Sequence, residues 1–312
     1  MRKLKTIFMG TPEYVIPSLE LTYNNSDLLA VFTAPDRKGG RGNNFIILKP
    51  KEFAQTYNIP VYQPNSLKDS KIVNILQDLT PDLLIVNAYG FILPKTILEI
   101  PKLAPINLHG SLLPKYRGAS PIQSALVNGD KETGITVQIM NEKLDEGDII
   151  YQLKTPIDED DDYISLSNKL SKLSADCVRD VIKLFEEKKI NPIVQASGAS
   201  YCSKIKKEDG IINWADSFEI ISNKMKAYIN WPQSYCYYEK KKIIIHKISL
   251  VNDSKEYNPG TIVQVNKNGI FVQCGSGLIN ILMLQPEGKK PMNYLSFLNG
   301  HKWEINKVLA SN

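Results

Sequence analysis

The run Thr6-Ile7-Phe8-Met9, halted at once by Gly10-Thr11-Pro12-Glu13, reads as a short strand buried on both faces that ends in a turn. Leu28-Leu29-Ala30-Val31-Phe32 and Leu83-Leu84-Ile85-Val86 repeat the pattern. Between these runs, Pro17–Tyr23, Glu52–Tyr57 and Ser70–Leu79 carry apolar residues at helical spacing. Strands that alternate with crossover helices predict an α/β fold with a mostly parallel, Rossmann-like sheet and helices on both faces. Ligands of such sheets gather at the carboxyl ends of the strands, so chemistry is sought in the loops that follow them. The first of those loops is not Gly-x-Gly-x-x-Gly, and no Gly-x-x-x-x-Gly-Lys-Ser/Thr occurs, which removes support for a dinucleotide or P-loop site.

Farther along, Ile135–Met140 reads as a strand and 163–189 as one long amphipathic helix. The stretch from Lys189 to Ser203 mixes Asn, Pro, Ser and Gly without periodicity and reads as a linker. Beyond it the pattern changes. A helix is predicted over Ser217–Tyr228, then β-rich runs at Tyr235–Tyr238, Lys242–Ile248, Thr261–Val265, Ile270–Gln273 and Leu278–Leu284, with Asn268-Gly269 as a hairpin turn. Short strands at such spacing predict a small barrel, of which a partly open, oligonucleotide-binding (OB-like) barrel is one form. The length of 312 residues accommodates about two domains. We divide the chain into 1–188, a linker over 189–205, and 206–312.

Charge sharpens the division. Residues 1–205 hold 24 Lys+Arg and 24 Asp+Glu, whereas residues 206–312 hold 14 and 9, so the whole net charge of +5 lies in the last third. A basic module beside a neutral one suggests a polyanionic partner, nucleic acid foremost. A lysine-coated soluble domain accounts equally well for the charge alone. No run approaches 18 apolar residues, and the basic start has too short an apolar run for a secretory signal, so we expect a cytoplasmic protein with no membrane partner. Cys177, Cys202, Cys236 and Cys274 are far apart and the chain has three histidines, which predicts neither a disulfide framework nor a metal centre.

The segment richest in chemistry is Ile106-Asn107-Leu108-His109-Gly110-Ser111-Leu112-Leu113-Pro114-Lys115-Tyr116-Arg117-Gly118. On a strand, Asn107 and His109 share a face, and an amide and an imidazole there can converge on one oxygen that gains negative charge. A polar strand end with a capping Asn explains the pair as well. A second segment, Leu144-Asp145-Glu146-Gly147-Asp148, can aim one carboxylate inward, where it would favour protonated His109 and orient its ring. A solvated acidic turn is the plainer reading of that segment by itself.

Together the two segments resemble the folate-dependent formyltransferases: Asn-x-His-x-Ser-Leu-Leu-Pro, then the Asp of Leu-Asp-x-Gly-Asp. Other motifs fall in the same family order. They are Phe8-x-Gly-Thr-Pro-Glu-Tyr, Pro35-Asp36-Arg37 with Gly40-Arg41-Gly42, Ala88-Tyr89-Gly90-Phe91-Ile92-Leu93-Pro94, Tyr201-x-x-Lys204-Ile205, Trp231-Pro232 and Leu284-Gln285-Pro286-x-Gly288-Lys289-Lys290. Nearly end to end, the sequence is similar to the methionyl-tRNA formyltransferase family.

That resemblance implies an enzyme that moves a formyl group from 10-formyltetrahydrofolate, its formyl-donor substrate, to the α-amine of methionine on initiator tRNA, and that acts as a monomer. Asn107 and protonated His109 would donate to the negative oxygen of the reaction, with Asp145 holding His109 and a water. Folate would lie along Ser111, Leu112, Leu113 and Pro114, with Tyr89, Gly90, Phe91 and Ile92 forming a wall and backbone partners for the pterin, and the loop around Glu142–Asp145 closing the other side. Tyr14 would border the methionyl pocket, where the family usually has Phe. For tRNA, the resemblance points to Arg41 with Arg37 and Lys38 in a basic insertion over Pro35–Lys51, and to Lys204, Lys206 and Lys207 ahead of the basic domain. Asn43 and Asn44 replace lysines frequent there, so Arg41 carries more of that role. The alternatives are a formyltransferase for another amine, such as an amino sugar, and an inactive RNA-binding relative.

Overall fold

The computed structural model describes residues 2–39, 44–252 and 257–310. The chain divides into two compact units: Met1–Pro121 with Lys131–Ile157 and Ser165–Ser203, and Ile122–Asp130 with Asp158–Ile164 and Lys204–Asn312.

In chain order the elements of the first half are β1 (Lys5–Gly10), α1 (Ile16–Asn25), β2 (Asp27–Phe32), β3 (Arg37–Gly39), β4 (Asn44–Ile46), α2 (Lys49–Thr56), β5 (Val61–Tyr62), α3 (Ser70–Leu79), β6 (Leu83–Asn87), α4 (Lys95–Leu98), β7 (Ala104–His109), β8 (Arg117–Gly118), α5 (Pro121–Val127), β9 (Glu132–Ile139), β10 (Ile149–Pro156) and α6 (Tyr163–Glu186). They form a seven-stranded sheet in the order β10-β9-β7-β6-β1-β2-β5. Strands β5, β2, β1, β6 and β7 are parallel, while β9 and β10 are antiparallel additions at the β7 side. All of β6 and five of the six residues of β1 are buried, which explains apolar runs without alternation. One core of this unit gathers Ile7, Met9, Phe32, Leu76, Leu84, Val86, Tyr89, Leu93 and Ile97. Helix α3 starts where the Asp69 carboxylate accepts the Lys71 N–H, an N-cap that leaves its apolar stripe to the core.

The basic insertion begins and ends in a two-stranded ladder, β3 against β4, in which Arg37 pairs with Ile46 and Lys38 with Phe45. Arg41 and Asn43 lie outside the described residues.

The second half continues with β11 (Tyr201–Cys202), α7 (Phe218–Ala227), β12 (Tyr235–Tyr238), β13 (Lys241–Asn252), β14 (Ile262–Asn266), β15 (Gly269–Cys274), β16 (Gly277–Pro286), β17 (Met292–Asn293) and α8 (Tyr294–Leu298). Strand β11 pairs in parallel with β8 in the first unit. The others make an antiparallel sheet, β12-β13-β16-β15-β14, with β17 on β16. Residue Ala310 bridges to Tyr237 on β12 and Val308 to Thr261 at the start of β14, so the terminal segment ties together the two edges of this sheet. A sheet whose edges are joined this way is a closed barrel, filled by Ile212, Trp214, Ile243, Ile262, Val272, Ile279, Ile281, Phe297 and Trp303.

Candidate active site

Strand β7 sets the site. Its Asn107 pairs across the ladder with Gln138 of β9, and His109 with Thr136. Cross-strand partners project from one face, so amide, imidazole, a second amide and a hydroxyl form one polar patch at the carboxyl end of the sheet. Into it comes Asp145 from the loop after β9. Its Oδ1 accepts from Gln138 Nε2 at 3.0 Å and Asn107 Nδ2 at 3.3 Å; its Oδ2 accepts the Gly118 N–H at 2.9 Å and lies 3.6 Å from His109 Nδ1. The structure thus brings Asn107, His109 and Asp145 together, with Gln138 and Gly118 as holders that spacing alone did not reveal.

The loop is shaped for this. Asp145 has φ +54°, the left-handed region that non-glycine residues seldom occupy. A Cβ on Gly147 would stand 1.7 Å from the Ile139 carbonyl oxygen, so the acidic loop folds flat against β9. Gln138 Oε1 accepts the Gly147 N–H at 3.0 Å, and one side chain thereby grips the loop twice.

His109 is 5% exposed and meets an oxygen at each ring nitrogen. The Tyr116 carbonyl, 2.8 Å from Nε2, can only accept, so Nε2 carries a hydrogen toward it, and a proton at Nδ1 would face Asp145 Oδ2. Burial pushes the imidazole below its ordinary value, more strongly than the Asp145 charge and the Tyr116 carbonyl pull it up. Burial and the Asp145 carboxylate thus act on His109 in opposite directions, with desolvation the larger.

Ser111 and Leu113 are buried. Ser111 Oγ donates to the Lys115 carbonyl at 2.6 Å, closing a turn, and Thr136 Oγ1 donates to the Ser111 carbonyl while accepting from Leu113 N. Among the four residues expected along the folate, only Leu112 and Pro114 keep partly accessible side chains. In the loop after β6, Tyr89 is 2% exposed, a core residue whose carbonyl accepts from Thr11 Oγ1. Gly90 (φ +86°) has nothing within 4 Å of a would-be Cβ, Phe91 packs beside Tyr89, and Ile92 is 85% exposed. Tyr89 therefore packs into the core behind the loop, and the open part of the loop is Gly90–Ile92. Tyr14 is half-buried, and its carbonyl accepts from Ser171 Oγ.

Arg37, Lys204, Lys206 and Lys207 are exposed, and Lys38 lies on β3. Lys51 is ion-paired with Asp36 and Lys49 with Glu52, so those two charges of the basic insertion are already answered.

Residues 7–182 match the family described as "Formyl transferase" and residues 204–302 match "Formyl transferase, C-terminal domain". Methionyl-tRNA formyltransferase of Thermodesulfovibrio yellowstonii is 41% identical over 98% of this chain and 98% of its own, and that of Syntrophus aciditrophicus 39% over 99% and 100%. The chain belongs to the methionyl-tRNA formyltransferase family. Among solved structures, WlaRD, a sugar 3N-formyl transferase crystallised with dTDP and 5-N-formyl-THF, superposes with a TM-score of 0.65 at 20% identity, covering 93% of this chain and 100% of that one. HypX from Aquifex aeolicus in complex with tetrahydrofolic acid gives 0.64 at 15%, over 99% and 51%. At those identities the likeness shows the fold. Within the methionyl-tRNA formyltransferase family, then, this chain presents Asn107, His109 and Asp145 in one partly buried cluster at the carboxyl end of its sheet.

Proposed function

We propose that the chain transfers the formyl group of 10-formyltetrahydrofolate to the α-amine of methionyl initiator tRNA, giving N-formylmethionyl-tRNA for translation initiation. One observation carries this reading: an amide and an imidazole from strand β7 and a carboxylate from the loop after β9 share a cluster in a chain 39–41% identical, end to end, to methionyl-tRNA formyltransferases. Formyl transfer is assigned to residues 1–188 and tRNA holding to 206–312, with 189–205 between them.

The formyl donor fits what the residues offer. The loops after the adjacent parallel strands β6 and β7 supply open backbone at Gly90, an exposed apolar side chain at Ile92 and the polar cluster, which suit a flat heteroaromatic ring with an amide-like formyl group. Bound there, that molecule supplies an activated one-carbon unit whose oxygen gains charge as the amine adds. Asn107 has a second amide hydrogen beyond the one turned to Asp145, and donates it to that oxygen. His109 is the group able to take up the proton that the attacking amine gives up, with Asp145 Oδ2 3.6 Å from its Nδ1 to balance the charge; that proton passes to N10 as the bond between N10 and the formyl carbon breaks and tetrahydrofolate leaves. Asp145 thus prepares the site for a charge that burial otherwise opposes.

Tyr14 borders the methionyl pocket, and Arg41, Arg37, Lys38, Lys204, Lys206 and Lys207 contribute to tRNA binding. The protein acts as a monomer in the cytoplasm, where its tRNA substrate is charged and used; gel filtration with and without tRNA tests the stoichiometry. Among the described residues no helix is long and apolar enough to cross a membrane.

The deciding experiment incubates the protein with 10-formyltetrahydrofolate and methionyl-tRNA beside His109→Ala and Asp145→Ala. Product from the wild type, with each variant slower by about 10²–10³, is expected for loss of one preorganised polar group. No product from the wild type ends the proposal, and formylation of an amino-sugar nucleotide instead would change the acceptor while keeping the chemistry.

A further inference from the structure

The aperiodic stretch after α6 does more than connect. Gln195 has both ends of its side chain engaged. Its Nε2 donates to the carbonyls of Asp145 and Gly147, each at 2.8 Å, which bracket Glu146 in the acidic loop. Its Oε1 accepts from Arg117 Nε at 3.0 Å and Nη2 at 2.8 Å. Arg117 Nη1 in turn lies 3.3 Å from Glu146 Oε1 and 3.2 Å from the Tyr201 hydroxyl. Arg117 also sits between the two backbone groups that hold the cluster: the Tyr116 carbonyl on His109, and the Gly118 N–H on Asp145. One amide therefore couples the loop that presents the carboxylate to the segment that presents its partners.

From this geometry we infer that Gln195, backed by Arg117, is a positioning residue for formyl transfer, fixing the left-handed backbone at Asp145 so that the carboxylate meets Asn107 and His109. The fork of two N–H groups on two carbonyls two residues apart suits that task, because it restrains the rotation that would swing Asp145 out. The inference rests on the proposed function for its kinetic consequence and stands without it for its structural one.

Gln195→Met keeps the length of the side chain and removes all five of its bonds, a 3.3 Å one to Gln138 Oε1 included; Gln195→Glu keeps the acceptor for Arg117 and loses the donors. Each is expected to lower kcat by about 10², the cost of ångström-scale misplacement. The KM for either substrate should stay within about twofold and the melting temperature should fall by no more than about 4 °C. In an Asp145→Asn background Gln195→Met should slow the reaction no further, since a residue acting through Asp145 has nothing left to position. A wild-type kcat in either variant, or a loss that multiplies with that of Asp145→Asn, overturns the inference. A second readout needs no activity: ring-nitrogen chemical shifts of His109 across pH. Gln195→Met should move its titration downwards, as Asp145→Asn does, because the carboxylate is no longer held beside Nδ1. An unmoved titration overturns the inference even if the enzyme is active, whereas a titration moved in Gln195→Met, where the wild type forms no product, sustains it and rejects the proposed function alone.

Discussion

Gly118 shows how narrowly single residues define this site. At φ +123° its N–H reaches Asp145 Oδ2, and a Cβ there would stand 2.1 Å from the Cys202 carbonyl oxygen. Gly118→Ala must part β8 from β11, withdrawing the N–H from the carboxylate. We expect a loss of about 1–3 kcal/mol from the backbone conformation, seen in chemical denaturation, together with a kcat reduced by about 10². A variant with wild-type kcat would show that Asp145 does not depend on this donor. His109 gives a prediction with a definite sign. Its pKa is depressed in the folded protein, so between that value and the unfolded value of about 6.5 the unfolded state binds more protons. Stability then rises with pH through this window, is fully present above about 6.5, and is lost on acidification as the buried ring is forced to charge. Melting temperatures at pH 7.5 and 5.5 should differ more for the wild type than for His109→Gln, which has no titrating ring; equal differences would place the pH dependence elsewhere.

Elements were legible wherever burial leaves a periodic trace. Strands β1, β2 and β6 follow the unbroken apolar runs, α3 and α6 the helical stripes, and β14–β15 the Asn268-Gly269 turn. Asn107, His109 and Asp145 could be singled out because their residue types and family order are distinctive. Their holders could not. Gln138 looks like any polar residue of a strand, and Gln195 lies in a stretch whose conformation is fixed by bonds to residues 48 and 50 positions away, which leaves no local pattern. Thr136 belongs to the same class: its hydroxyl donates to the Ser111 carbonyl and accepts from Leu113 N and Gln152 Nε2, joining β9 to the turn after β7. Thr136→Val preserves shape but strands those partners in a buried position. We expect it to cost about 1–3 kcal/mol in urea unfolding, several times the effect of Thr155→Val farther along the sheet on β10. A cost no larger than that of Thr155→Val would mean the turn is held by packing alone.

Across the whole molecule the charge is partitioned, with balance in residues 1–205 and an excess of five in 206–312. Two lysines of 206–312 act on one another. Lys242 lies with its Nζ 3.7 Å from the centre of the Tyr235 ring, and burial, then the charge of Lys207, pulls its pKa down. Tyr235 is also bonded to the backbone of Lys207, through its hydroxyl at 3.3 Å. The charges of Lys207 and Lys242 repel, Glu287 offsets part of that repulsion at Lys242, and a phosphate near both would relieve the rest. If this pair holds the tRNA backbone, Lys207→Glu and Lys242→Glu should each weaken methionyl-tRNA binding and reduce the slope of log K against log salt by about 1. The turnover rate at saturating tRNA should remain that of the wild type, because phosphate contacts add affinity and the proposed formyl chemistry is assigned to Asn107, His109 and Asp145. Filter binding from 50 to 300 mM salt checks the slope, and single-turnover formylation checks the rate. Slopes equal to that of the wild type would assign the tRNA contacts to other lysines of the barrel, whereas an unchanged slope with a slower chemical step would deny that charge and chemistry are separate tasks in this chain.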